Sequence, residues 1–131
     1  GASGQIEEGY AVRKFPGGDV YEGEWKEGKC HGKGKMSYSG GEVHEGGWKE
    51  DTPQGKGKQT WPDCEEYEGE WKEGKRHGKG RQTCPDGEVH EGEWKEGKPH
   101  GKGKKTFPEG VVYEVEWKEG KQHLVSRGHF P

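Results

Sequence analysis

The sequence predicts an all-β protein, an elongated single-layer antiparallel meander of stacked β-hairpins. The first observation is a tryptophan that recurs every 23 residues, at Trp25, Trp48, Trp71, Trp94 and Trp117. The second is composition, because glycine supplies 27 of the 131 residues and only 23% of residues are hydrophobic. Such a chain lacks the aliphatic core of a helix bundle or a doubly wound sheet, whereas stacked repeats bury aromatic rings between neighbouring units.

The repeated unit has a fixed internal pattern. In the first full unit it is Tyr21-x-Gly23-x-Trp25, a loop, and then Gly32-x-Gly34, followed in most units by another aromatic residue. This frame predicts a half repeat at 9–20, full repeats at 21–43, 44–66, 67–89 and 90–112, and a partial terminal repeat at 113–131. Residues 1–8 are interpreted as a tag remnant or an N-terminal extension.

Alternation with a period of two predicts the strands and their faces. Tyr21, Gly23 and Trp25 share one face of the first strand, and Glu22 and Glu24 share the other. The second strand of each unit places glycines on the aromatic face and lysines on the charged face. Because glycine has no side chain, we expect the rings to lie flat over the glycine backbone. The charged faces should form cross-strand Glu–Lys pairs.

Glycine and proline positions predict the connections, for a total of about ten strands. The loop inside the first hairpin is predicted at 26–31, with Gly28 at a positive φ angle. Asp51 replaces this glycine in the next unit and is one of the few side chains that tolerate the same region. Between units, 85–87 and 108–110 have the Pro-x-Gly chemistry of turns.

The last unit departs from the pattern. Val115, Leu124 and Ser126 stand where other units have glycine. Two interpretations are open: this unit caps the array with a different surface, or the chain leaves the array there.

Charge and cysteine content exclude several classes. The net charge of −3 argues against a nucleic-acid partner, since phosphate contacts need a basic excess. Apolar residues never form a long run, so we expect no transmembrane segment or signal peptide. Cys30, Cys64 and Cys84 are odd in number and widely spaced, which favours reduced cysteines over a disulfide framework or a zinc site.

The segments 21–34 and 67–80, which share the pattern Y-E-G-E-W-K-E-G-K-x-H-G-K-G, resemble the MORN (membrane occupation and recognition nexus) repeat. The resemblance implies a single-layer sheet and a non-catalytic role as an adaptor in cytoskeletal, ciliary or junctional assemblies, or as an appendage to an enzyme. It also implies a cytoplasmic, cytoskeleton- or cilium-associated location. Some members hold a partner helix or peptide in an aromatic groove, and some self-associate.

No catalytic constellation is present, and we predict neither an enzyme nor a cofactor. We expect Glu22 and Glu24 to lie beside lysines in water, so nothing holds a pair of carboxyls in a cleft as general acid–base catalysis requires. The Lys-Gly-Lys pairs lack the spacing of a phosphate-binding loop.

Four histidines share one position of the repeat: His31, His77, His100 and His123. A metal ladder is conceivable there. Loop bracing is favoured, because Gln54 interrupts the series, and no metal site is predicted.

The aromatic face is the predicted binding site, because a contiguous aromatic patch on a single-layer sheet is typical of a partner site. The expected groove is lined by Tyr21, Trp25, Tyr38, His44, Trp48, Trp61, Tyr67, Trp71, His90, Trp94, Phe107, Tyr113 and Trp117. Its occupant would be a helix or an extended peptide of a protein partner. His44 and His90, which replace Tyr, either give this groove polar steps or are simply tolerated.

Other partners are alternatives to a groove-bound peptide. The lysines at Lys33, Lys56, Lys79 and Lys102 suggest a peripheral module that binds anionic phospholipid, although the adjacent glutamates offset their charge. A regulatory segment of a larger enzyme is a further alternative. The open end strands could also pair with another copy.

Overall fold

A computed structural model describes residues 8–129 of the chain. The predicted tag remnant or extension therefore lies outside the described residues except for Glu8, as do Phe130 and Pro131. The described residues form one antiparallel sheet of eleven strands in chain order, as the sequence predicts. The strands are β1 Gly9–Lys14, β2 Val20–Lys26, β3 Lys29–Ser37, β4 Val43–Lys49, β5 Thr52–Thr60, β6 Glu66–Lys72, β7 Lys75–Thr83, β8 Val89–Lys95, β9 Lys98–Thr106, β10 Val111–Lys118 and β11 Lys121–His129. No helix long and apolar enough to cross a membrane occurs among residues 8–129.

The hairpin loop within each unit is shorter than predicted. In the first unit Lys26 pairs with Lys29, so the loop consists of Glu27 and Gly28 and not of the whole stretch 26–31. Both residues have positive φ angles, 51° and 76°, which is the type I′ geometry that matches the right-handed twist of paired strands. The positive φ angle predicted for Gly28 is confirmed, and Gly74, Gly97 and Gly120 in the equivalent loops also have positive φ angles.

Asp51 takes the glycine position of the second hairpin loop with a φ angle of 69°, as predicted. Its Oδ1 accepts a hydrogen bond of 2.8 Å from the backbone N–H of Cys30. We expect Asp51→Ala to lower the free energy of unfolding by about 1–2 kcal/mol, because alanine is strained at this φ angle and leaves the N–H unpaired. Asp51→Asn keeps both features and should stay near wild type. Equal urea midpoints for the two variants would contradict this assignment.

A β-bulge explains the first glycine of each glycine pair. The strand register shifts within the β2–β3, β4–β5, β6–β7 and β8–β9 pairs. In the third unit Gly78 lies in the bulge with a φ angle of 63°. The carboxylate of Glu70 accepts a 2.6 Å hydrogen bond from the backbone N–H of Lys79 there. The Glu70 carboxylate and the positive φ angle of Gly78 therefore stabilise the bulge.

The turns between units have the predicted chemistry. The N–H of Gly87 donates to the carbonyl of Cys84 at 2.9 Å, and the N–H of Gly110 donates to the carbonyl of Phe107 at 2.9 Å. Both glycines have positive φ angles. In the last unit β10 and β11 pair as a hairpin whose register shifts between Glu114 and Val115, and Val115 is buried. The described chain therefore stays in the array, which raises the strand number from about ten to eleven.

Candidate functional site

Aromatic rings form a continuous ladder along one face of the sheet. In each of the four full units the Tyr or His ring that precedes the Trp lies edge-on between the Trp of its own unit and the Trp of the next unit. Tyr21, for example, has its ring centroid 5.0 Å from that of Trp25 and 5.5 Å from that of Trp48. The ladder, with centroid distances of 4.6–5.9 Å, runs Trp25, Tyr21, Trp48, His44, Trp71, Tyr67, Trp94, His90 and Trp117.

The second glycine of each pair gives the ladder its floor. A Cβ atom on Gly34 would overlap the ring of Tyr21, and one on Gly80 would overlap the ring of Tyr67. The Tyr21 hydroxyl donates to the Glu24 carbonyl at 3.0 Å, and Trp48 Nε1 donates to the Gly34 carbonyl at 3.0 Å. The prediction that the rings rest on glycine backbone is confirmed at these positions.

Most of the rings predicted to line the aromatic groove are covered by the chain itself. Each of the four Tyr and His rings of the ladder is enclosed by two indoles and by the glycine floor. Eight of the thirteen predicted site residues are therefore buried: Tyr21, Trp25, His44, Trp48, Tyr67, Trp71, His90 and Trp94. The other five are half-buried: Tyr38, Trp61, Phe107, Tyr113 and Trp117.

Arg76 shows how the chain covers its own rings. Its guanidinium carbon lies 5.0 Å from the ring centroid of Trp61, 4.8 Å from that of Tyr67 and 5.2 Å from that of Trp94. Its Nη2 atom is 3.3 Å from Glu65 Oε2. Cation–π contact with a paired guanidinium stabilises this cluster. Trp61, one of the residues predicted to line the groove, therefore contacts Arg76 within the chain.

The two ladder histidines are incompletely hydrogen-bonded. His44 Nδ1 lies 3.2 Å from Gln59 Oε1, while His44 Nε2 has no partner among residues 8–129. Neither ring nitrogen of His90 has a partner there. Burial lowers the pKa of His44, and burial together with the charge of Lys105 lowers the pKa of His90 to about 4. Both rings are buried members of the ladder and offer no polar step to a partner.

The opposite face carries a trough that was not among the features predicted from the sequence. Eight glycines stand directly opposite one another on β2 to β9: Gly23, Gly34, Gly46, Gly57, Gly69, Gly80, Gly92 and Gly103. Their backbone is the floor of what we call the glycine trough. Four successive depressions of about 840, 760, 700 and 490 Å³ lie along it. At a strand spacing of about 4.8 Å the row is about 34 Å long.

Charges of alternating sign border the glycine trough. One cross-strand row, in which every neighbour is a direct partner, reads Glu22, Lys35, Glu45, Lys58, Glu68, Arg81, Glu91, Lys104 and Glu114. The predicted cross-strand pairing of glutamates with lysines is thereby confirmed for this row. Arg81 and Glu91 approach to 3.9 Å and are largely exposed. These side chains are therefore available to a bound segment.

The sequence contained the signal for this trough. The glycine two residues before each Trp and the glycine nine residues after it recur in four units. The antiparallel register places these two positions opposite each other. The periodic spacing in the sequence does not by itself predict this register. Val115 interrupts the row on β10, and Ala11 occupies the equivalent position on β1.

The repeated histidines and the cysteines form no further site. His77, His100 and His123 are exposed, and His31 is half-buried. Within residues 8–129 no group of three or more His, Cys, Asp or Glu side chains is placed to hold a metal ion. The three cysteines are free, and burial next to Asp51 raises the pKa of the Cys30 thiol to about 12.

A family model described as the MORN repeat matches residues 21–43, 44–63, 67–89 and 90–112. No curated protein matches the chain. Among solved structures, the chain is similar to the SAS-4 (dCPAP) TCP domain of Drosophila melanogaster, solved in complex with a proline-rich motif of Ana2 (dSTIL). That match has 10% sequence identity and a TM-score of 0.37, and it covers 90% of this chain and 84% of that chain.

Proposed function

The chain belongs to the MORN-repeat family, and from that premise we propose that it is a non-catalytic scaffold that holds a helix or extended peptide of a protein partner. We place the partner in the glycine trough. The supporting observation is the unbroken row of eight glycines bordered by alternating charges. From the family resemblance we further propose that the assembly it serves is cytoskeletal or ciliary and lies in the cytoplasm.

The trough suits a partner better than the ring ladder does. A partner on the ladder would have to displace buried rings such as Tyr67 and Trp94, which are 0% and 3% exposed. The trough floor is backbone without side chains, so a helix or strand can approach it closely. Binding there requires no rearrangement of the sheet and therefore little conformational cost.

The charge spacing describes the partner. Charges of the same sign recur on every second strand, which is about 9.6 Å. An α-helix rises about 1.5 Å per residue. A complementary helix would therefore carry charges of one sign six or seven residues apart, each opposite in sign to the trough charge that it meets. A helix of about 23 residues would span the trough. Electrostatic matching of this kind contributes to partner choice and association rate more than to affinity.

The lipid alternative receives less support from the structure. Lys56, Lys79 and Lys102 stand directly opposite Glu70, Glu93 and Glu116 in the strand register. Paired charges reduce the positive potential that anionic phospholipid requires.

A cross-linking experiment tests the trough. A photoreactive amino acid is placed at Arg81, with a second variant at Glu73 in a hairpin loop as the control. We expect cross-linking to the captured partner from position 81 and not from position 73. Mass spectrometry of the adduct identifies the partner segment. Cross-links from position 73 alone would contradict the assignment.

Charge inversion provides a second readout on the same partner. The double variant Glu68→Lys, Glu91→Lys should lose binding, since it removes the alternation along one wall. The matched double variant Glu73→Lys, Glu96→Lys changes the net charge equally and should retain binding. Trp71 and Trp94 are unsuitable for this test, because truncating a buried indole destabilises the fold itself.

A further inference from the structure

One long edge of the sheet, where the hairpin loops lie, is bordered by exposed lysines. In four of the five hairpins two lysines stand directly opposite each other at the loop, as Lys72 and Lys75 do; in the second hairpin the partner of Lys49 is Thr52. We call this row the lysine edge. Its members are Lys26, Lys29, Lys49, Lys72, Lys75, Lys95, Lys98, Lys118 and Lys121.

The residues that the structure describes do not neutralise the lysine edge. Like charges directly opposite each other on neighbouring strands destabilise a sheet. Of the nine lysines, only Lys118 forms an ion pair within residues 8–129, at 3.4 Å from Glu116. Each hairpin loop contributes one glutamate, and the second loop adds Asp51, so cations outnumber anions along this edge.

A basic cleft lies between neighbouring hairpins. A depression of about 270 Å³ separates the third and fourth hairpin loops. It is lined by Lys72, Lys75, Arg76, His77 and Lys95, together with two loop glutamates. A carboxylate placed between such lysines offsets the repulsion within each pair.

We propose that the lysine edge binds an extended acidic peptide segment. Successive hairpin loops are about 9.6 Å apart, and an extended chain rises about 3.3 Å per residue, so every third residue meets a loop. Five loops span about 38 Å, which about twelve residues cover. This site is separate from the glycine trough and does not depend on the function proposed for it.

The shape of the edge favours a peptide over other anions. Adjacent strands of a sheet rotate by about 20–25°, so the edge winds around the sheet axis. A flexible peptide follows this path, whereas a flat membrane contacts only part of it. The net charge of −3 opposes any general attraction of polyanions, so binding of an acidic probe requires a local basic surface.

Fluorescence anisotropy with a labelled oligoglutamate of twelve residues tests the proposal. The variant Lys72→Gln, Lys75→Gln, Lys95→Gln, Lys98→Gln should lose affinity at least about tenfold. The matched variant Lys33→Gln, Lys56→Gln, Lys79→Gln, Lys102→Gln removes the same charge from the charged face and should bind like wild type. All eight side chains are exposed, so both variants should keep the wild-type circular dichroism spectrum.

Two further measurements separate the outcomes. Affinity should fall as NaCl is raised from about 50 to about 200 mM, and an oligoglutamate of six residues should bind more weakly, because it reaches fewer loops. Unchanged affinity of the lysine-edge variant would overturn the proposal. Recruitment of the wild type to phosphatidylserine vesicles, without binding of oligoglutamate, would overturn it in favour of a lipid surface.

Discussion

Replacing Gly80 with alanine should lower the free energy of unfolding by about 3 kcal/mol or more. The added Cβ would overlap the ring of Tyr67. That ring cannot move aside, because it is fully buried between Trp71 and Trp94, with centroids 5.1 and 5.2 Å away. Relief of the clash therefore requires the ladder to open at this unit. Urea unfolding followed by tryptophan fluorescence measures the loss.

Gly17 provides the matched control for this substitution. A Cβ atom there would meet nothing within 4 Å, and its φ angle is not positive. We expect Gly17→Ala to change the free energy of unfolding by less than about 0.5 kcal/mol. Gly→Ala by itself reduces the entropy of the unfolded chain and does not destabilise the fold, so equal effects of the two alanines would contradict the assignment of the cost to the ring above Gly80.

The fold should lose stability between pH 6.5 and pH 4 because of the ladder histidines. The unfolded imidazole has a pKa of 6.5, whereas burial and then the charge of Lys105 lower the folded pKa of His90 to about 4. The unfolded chain therefore binds the proton more tightly, and stability falls as the pH falls through this window. The loss from His90 reaches about 3 kcal/mol at pH 4. Burial lowers the pKa of His44 as well, so its effect has the same sign.

The double variant His44→Tyr, His90→Tyr isolates this effect from that of the carboxyl groups. It retains every Asp and Glu, so acid titration of those groups contributes equally in both proteins. Tyrosine also supplies a hydroxyl, which in Tyr67 donates to the Glu70 carbonyl at 3.2 Å. We expect the variant to be more stable at pH 7.5 and to lose less stability at pH 5. Urea midpoints that fall equally in both proteins would rule out the histidines as the cause.

Most of the fold follows from local sequence features. The 23-residue tryptophan spacing sets the unit, and alternation assigns Tyr21 and Glu22 to opposite faces. Asp51 in a glycine position predicts the positive φ angle that it adopts. These features are predictable because each depends on one residue and its immediate neighbours.

The site was less predictable, because it depends on contacts between units. The period-two alternation of a strand predicts the face on which a ring lies, but it does not predict how many neighbouring side chains enclose that ring. Arg76 covers Tyr67 and Trp94. The equivalent positions in two other units are occupied by Pro53 and Pro99, so the repeat pattern does not predict this role. The glycine trough likewise depends on the register between neighbouring strands. The β-bulges shift this register, and the spacing of residues along the sequence does not predict the size of the shift.

The meander order determines how the protein responds to mechanical load. β1 and β11 lie at opposite ends of the sheet, and every strand pairs only with its sequence neighbours. Tension applied between these two strands acts along the backbone hydrogen bonds and across the strands. The backbone hydrogen bonds at the loaded end of the sheet then break before the hydrogen bonds farther from that end. Hairpins should therefore detach singly, each releasing a fixed length of chain, and re-form in reverse order when the tension is removed.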